Sequence, residues 1–233
     1  MKSIKKKVLL GSLAVCLLAL LSARTLAWFT DSKEVVNEFK IATSEDTEKD
    51  DIFSVDVWEN TPEGEKDEDG FVYEDILPGD VLKKEANVEN TGYYDQYIRV
   101  TVTVSDAAAW QAALNTTAVP RLEQIVDGWD RNANVWVDNS SEIVDDKIVY
   151  TMYYNGILQG DMESIYDNHK NVVTVFTAVK IPQSLTVEQA VAFKNNFEIS
   201  VKADAVQTEN LGIDRSKGKG EGAKEAFEVV ENN

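Results

Sequence analysis

Two runs of strict period-two alternation commit this chain to a fold built from sheets. In residues 96–105, Ile98, Val100, Val102 and Val104 share one parity, and Arg99, Thr101 and Thr103 take the other. In residues 197–206, Phe197, Ile199, Val201, Ala203 and Ala205 alternate with Glu198, Ser200, Lys202 and Asp204. Successive side chains of a strand point to opposite faces, so such a run buries one face and hydrates the other. The β-branched residues that dominate the first run also suit a pleated surface.

Other stretches repeat the pattern less cleanly. Residues 52–58 set Phe53, Val55 and Val57 against Ser54 and Asp56, and Leu82, Lys84, Ala86 and Val88 share a parity. Residues 147–154 place Ile148, Tyr150, Met152 and Tyr154 on one face, while 171–179 is apolar on both, as in a strand central to its sheet. Pro78-Gly79 and Asn90-Thr91-Gly92 are turns. The acidic stretch 61–70 reads as the loop of a hairpin joining 52–58 to Phe71-Val72-Tyr73.

Helical signals are short. Ser105-Asp106 offers an N-cap to an alanine-rich helix over 107–114, a helical turn is expected within 120–126, and a small helix over 187–194. Trp129 and Trp136 frame a turn-rich stretch, and 156–170 reads as a loop. Many short strands with turn signals and small helices predict an all-β, antiparallel β-sandwich with short helical insertions over residues 42–211. Beyond it, Gly, Lys and Glu dominate, which predicts a flexible tail over 212–233, with one weak strand or helix turn over 226–230.

The N-terminus carries an export signal. Lys2, Lys5, Lys6 and Lys7 form a basic head, residues 8–21 an apolar run, and Thr25-Leu26-Ala27 a small-residue cleavage site. The run is shorter than the roughly 20 apolar residues a spanning helix needs. Cleavage between Ala27 and Trp28 removes residues 1–27, and with them Cys16, the sole cysteine. The mature chain then has no thiol and no disulfide. Its new end, residues 28–41, is a strand-prone segment carrying Trp28, Phe29, Val35, Val36, Phe39 and Ile41. A polar, acidic spacer over 43–51 separates it from the next strand signal and is long enough to let it leave its own domain. Such a segment is a candidate donor strand.

Charge narrows the partners. The formal net charge is −18, and loss of the signal's five positive charges leaves the mature chain at about −23. That excess disfavours nucleic acid and, after cleavage, anionic membrane as partners. It favours self-association that depends on salt, acid or divalent ions.

Catalytic chemistry is poorly provided for, and the chain is read as a non-enzyme. His169 is the only histidine, which excludes a two-histidine zinc site and leaves one candidate base for serine catalysis. There is no Gly-x-Ser-x-Gly elbow and no phosphate-cradling glycine loop. Glu65, Asp67 and Asp69, followed by Gly70, mimic the start of a calcium loop, but its closing position falls on Ile76. Calcium is therefore the one cofactor considered. Tyr93, Tyr94, Tyr97, Trp110, Trp129 and Trp136 would suit carbohydrate stacking if exposed, and packing if buried.

Three stretches resemble a family. Thr25-Leu26-Ala27-Trp28-Phe29-Thr30-Asp31 resembles the processing site of the TasA/camelysin family of Gram-positive surface and biofilm-matrix proteins. Leu77-Pro78-Gly79-Asp80, running to Val88-Glu89-Asn90-Thr91-Gly92, is similar to that family's Pro-Gly-Asp turn, strand and Asn-x-Gly turn, and 197–206 to its closing strand. The resemblance implies a jelly-roll-like sandwich and cleavage by a dedicated signal peptidase just before an aromatic-containing N-terminal strand. Some camelysin relatives are described as metallopeptidases, an activity for which the usual ligand set is missing in this sequence. The expectation is a secreted subunit of the extracellular matrix or cell surface that polymerises head to tail with itself. The alternatives are a monomeric surface module that binds a ligand or glycan, and a camelysin-like secreted metallopeptidase.

Overall fold

The computed structural model describes residues 30–35, 54–60, 65–67, 70–72, 76–129, 135–160, 170–186, 189, 198–208, 211, 213 and 219–232. Its strands are β1 (Thr30–Val35), β2 (Val55–Asn60), β3 (Glu65–Asp67), β4 (Gly70–Val72), β5 (Val81–Asn90), β6 (Gln96–Val104), β7 (Val126–Asp127), β8 (Trp136–Val144), β9 (Lys147–Tyr154), β10 (Val172–Lys180) and β11 (Ile199–Gln207). Helices span Ala107–Ala113, Leu122–Ile125 and Lys219–Glu231.

The strands form two antiparallel sheets, one of five strands in the order β1-β11-β6-β9-β8 and one of four in the order β2-β5-β10-β7. The chain crosses repeatedly between them, so the core is closed by residues from both sheets. Ile98, Val100, Val102 and Val104 of β6, Ile199, Val201, Ala203 and Ala205 of β11, and Ile148, Tyr150 and Met152 of β9 are all fully buried. They pack with Val55 and Val57 of β2, Ala86 and Val88 of β5, and Val175 and Phe176 of β10 in one cluster. Each inward set keeps the parity read from the sequence. The apolar β10 lies between β5, which pairs along most of its length, and β7, which meets it at Ala178 and Val179.

Four expectations are corrected. The strand β2 pairs with β5, whereas Phe71 and Val72 belong to β4, which forms a separate small hairpin with β3. A whole strand, β8, went unread because its centre is polar (Asp138, Asn139, Ser140, Ser141, Glu142). It forms because Asp145 and Asp146, both at positive φ (49° and 61°), turn it back onto β9.

The helix Ala107–Ala113 is not capped by its own N-cap side chain, since Asp106 sits at φ 56° without a cap bond. Asp146 of the β8–β9 turn supplies the acceptors: its carbonyl takes the Ala107 N–H at 2.8 Å and its carboxylate the Ala108 N–H at 3.0 Å. The orphan donors of the helix are thus satisfied from a distant turn. The helix expected over 187–194 lies outside the described residues.

The tail expectation is overturned for residues 219–231. They form a helix that packs on the outward face of β6, β9 and β11. Ala223, Ala226 and Phe227 are buried against Tyr97 and Val206 in a second apolar cluster. The glycines that suggested flexibility allow close approach: a Cβ on Gly220 would lie 2.0 Å from Val137 Cγ2.

Candidate assembly interface

The N-terminal strand sits at one edge of the larger sheet. Among the described strands its backbone pairs with β11, in a register that runs from Thr30 opposite Val206 to Val35 opposite Val201. The described part of the expected 28–41 segment is the strand Thr30–Val35, whose centre is the polar Asp31-Ser32-Lys33-Glu34. Main-chain pairing to a well-buried neighbour has overridden local propensity there. Of the residues singled out for assembly, Val35 is placed opposite Val201. Ala27, Trp28, Phe29, Val36, Phe39 and Ile41 lie outside the described residues.

The acceptor strand is well anchored on its other side. β11 is paired along its full length with β6, from Ile199 opposite Val104 to Gln207 opposite Gln96. Its inward residues belong to the core, and β1 and β11 both lie across from β2 of the opposite sheet. A strand in the β1 position therefore caps both an open ladder and one flank of the core. Within this chain that position is filled in cis.

The C-terminal helix fixes the outer face of this seam. Arg99 Nη2 lies 2.9 Å from Asp204 Oδ2, and the same guanidinium pairs with Glu231 and stands 4.5 Å from the centre of the Phe227 ring. Lys202 Nζ is 3.1 Å from the other Asp204 oxygen. Burial of Arg99 opposes its charge, but the carboxylates of Glu231 and Asp204 outweigh it and raise the guanidinium pKa above its ordinary value.

The smaller sheet ends in β2, a six-residue edge paired with β5, and in β7, two residues long; the far edge of the larger sheet, β8, is polar with a register irregularity between Val137 and Ser140. Short, polar and bulged edges resist strand addition.

Glu65 and Asp67 lie on β3, opposite Val72 and Gly70 respectively, and Asp69 lies outside the described residues, as does His169. No group of three or more His, Cys, Asp or Glu residues suited to a metal ion occurs among the described residues. Tyr97, Trp110, Trp129 and Trp136 are buried, with Trp129 stacked on Trp136 at 6.1 Å, so these four are core residues rather than a stacking platform. A shallow cavity of about 310 Å³ opens beside Trp136, Lys170 and Val172. The Trp136 indole N–H beside it is already engaged by the Thr174 carbonyl at 3.2 Å.

One pair of residues escaped the sequence reading. Lys84 and Glu59 form an ion pair with their side chains 0% and 1% exposed. The only signal was that Lys84 shares its parity with Leu82, Ala86 and Val88, which placed a lysine on a core-facing row. Among the described residues no helix is long and apolar enough to cross a membrane. Comparison with models of protein families, with curated proteins and with solved structures produced no match to this chain.

Proposed function

We propose that this chain is a secreted structural subunit whose processed N-terminal strand passes between subunits and builds an extracellular fibre. The observation that carries the reading is the position of β1: among the described strands it is an edge strand held to its sheet through β11. The segment containing it becomes a free end only after cleavage at Ala27–Trp28, which a dedicated signal peptidase performs in this reading.

In the monomer β1 fills its own slot beside β11. In the fibre the same slot takes the strand of the next subunit. Main-chain hydrogen bonds supply affinity in both cases, so exchange conserves the ladder and gains only from linking subunits. The pairing is head to tail and propagates as a filament instead of closing as a dimer. With a mature charge of about −23, subunits repel at low ionic strength, so acid, salt or divalent cations promote growth.

The experiment is deletion of residues 28–39 from the processed protein. The truncated protein stays folded and monomeric, and a synthetic peptide of residues 28–41 stops the growth of intact fibres. Normal fibres from the truncated protein, seen by electron microscopy, would end the proposal.

A further inference from the structure

We propose that Lys84 and Glu59 condense to a side-chain amide, a covalent strap between β2 and β5 inside the sandwich. Glu59 stands opposite Ala86 in the β2–β5 ladder, and Lys84 is the next residue of that parity along β5. The two are diagonal neighbours on adjacent strands, the arrangement in which long side chains meet. They do meet: Lys84 Nζ lies 3.2 Å from Glu59 Oε1, with both side chains withdrawn from solvent. The β5–β10 register shifts between Phe176 and Ala178, opposite Lys84 and Glu85, and irregularities of this kind re-aim a side chain.

Burial sets up the chemistry. Desolvation lowers the Lys84 pKa, against the opposing pull of Glu59 and, to a smaller degree, Glu198. A buried lysine and glutamate reduce their desolvation cost by passing a proton, which leaves a neutral amine beside a neutral carboxylic acid. In water, ionisation of both groups holds an amine and an acid apart as a salt. In a dry core that obstacle is removed, and two groups held within contact react at high effective concentration.

The step balances without a co-reactant. The Nζ lone pair attacks Glu59 Cδ and forms one N–C bond. The adduct gives up one Nζ proton, the carboxyl C–O bond breaks, and the hydroxyl leaves with that proton as one molecule of water. The product replaces a buried amine and a buried carboxylic acid with one neutral amide. It also gives a covalent tie to a mature chain whose sequence holds no cysteine. The inference does not depend on the fibre reading.

Intact mass measured under denaturing conditions tests it on the mature full-length chain, with its first residue established by N-terminal sequencing. The expected mass is one water below that of the sequence. Proteolysis releases a branched peptide joining the Glu59 segment to the Lys84 segment. The double variant Glu59→Leu/Lys84→Met keeps the site apolar, folds, and shows the full mass. A wild-type chain of full mass after folding overturns the proposal, because an ion pair leaves no trace in denaturant. Loss of water mapped to any other residues overturns it equally.

Discussion

Arg99 of β6 and Asp204 of β11 stand directly opposite one another in the ladder, with guanidinium and carboxylate 2.9 Å apart on the face away from the core. An exposed cross-strand pair would contribute little. Here Phe227 lies beneath the guanidinium and Glu231 closes over it, so the C-terminal helix is joined to the two central strands of the larger sheet.

The helix is therefore part of the fold. Removal of residues 219–233 is expected to lower the denaturant midpoint, and Phe227→Ala to cost about 3–5 kcal/mol, typical of a buried aromatic. Urea unfolding followed by tryptophan fluorescence checks both. A truncated chain with an unchanged midpoint would show that the docked helix contributes nothing to stability.

Gly220→Ala separates helix propensity from helix docking. In an isolated helix, alanine is favoured over glycine by about 1 kcal/mol. On this sheet the added Cβ would lie 2.0 Å from Val137 Cγ2, so the variant is expected to be less stable by about 1–3 kcal/mol. Val137→Ala in the same chain should return much of the loss. A gain in stability from Gly220→Ala alone would mean that the helix does not rest on β8.

Core register is tested by neighbouring residues. Val100→Ala and Val201→Ala, at fully buried sites, should each cost about 1–3 kcal/mol. Lys202→Ala, at a side chain 38% exposed, should cost less than about 1 kcal/mol. Alternation alone predicts a small effect for Arg99→Ala. The structure raises it to about 1–3 kcal/mol, because Asp204 is buried and loses a charged partner. Equal melts for the valine and lysine variants would place the wrong face inward.

Tyr150 gives the fold an alkaline limit. Its hydroxyl donates to the Pro120 carbonyl at 2.7 Å, and burial first, then the Glu123 carboxylate, push its pKa above the ordinary 10.0. The unfolded phenol ionises near pH 10 while the folded one keeps its proton. The unfolded state thus binds fewer protons above that pH, and stability falls as pH rises further. Below pH 10 this contribution is constant. Tyr150→Phe should flatten the alkaline slope and cost about 1–2 kcal/mol at neutral pH for the lost hydrogen bond. An unchanged slope in the variant would assign the alkaline loss to other groups.

The sandwich itself was legible in the chain, since period-two alternation is local and each inward row (Ile98 to Val104, Ile199 to Ala205, Ile148 to Tyr154) follows from which side chains water rejects. Partner choice was not. β2 pairs with β5 across a long intervening segment, β8 forms from a polar stretch because a two-aspartate turn lays it on β9, and Asp146 caps a helix beginning at Ala107. The C-terminal helix carries few apolar residues and two glycines, so no local signal outweighed its polar composition. Its order comes from Val137, Tyr97 and Arg99, which only the folded sheet brings together. The Lys84–Glu59 contact has the same origin. The sequence by itself determined which faces are buried, because burial is written residue by residue; the tertiary structure alone decided which residues meet, because contact depends on strand pairing over distances that no local pattern encodes.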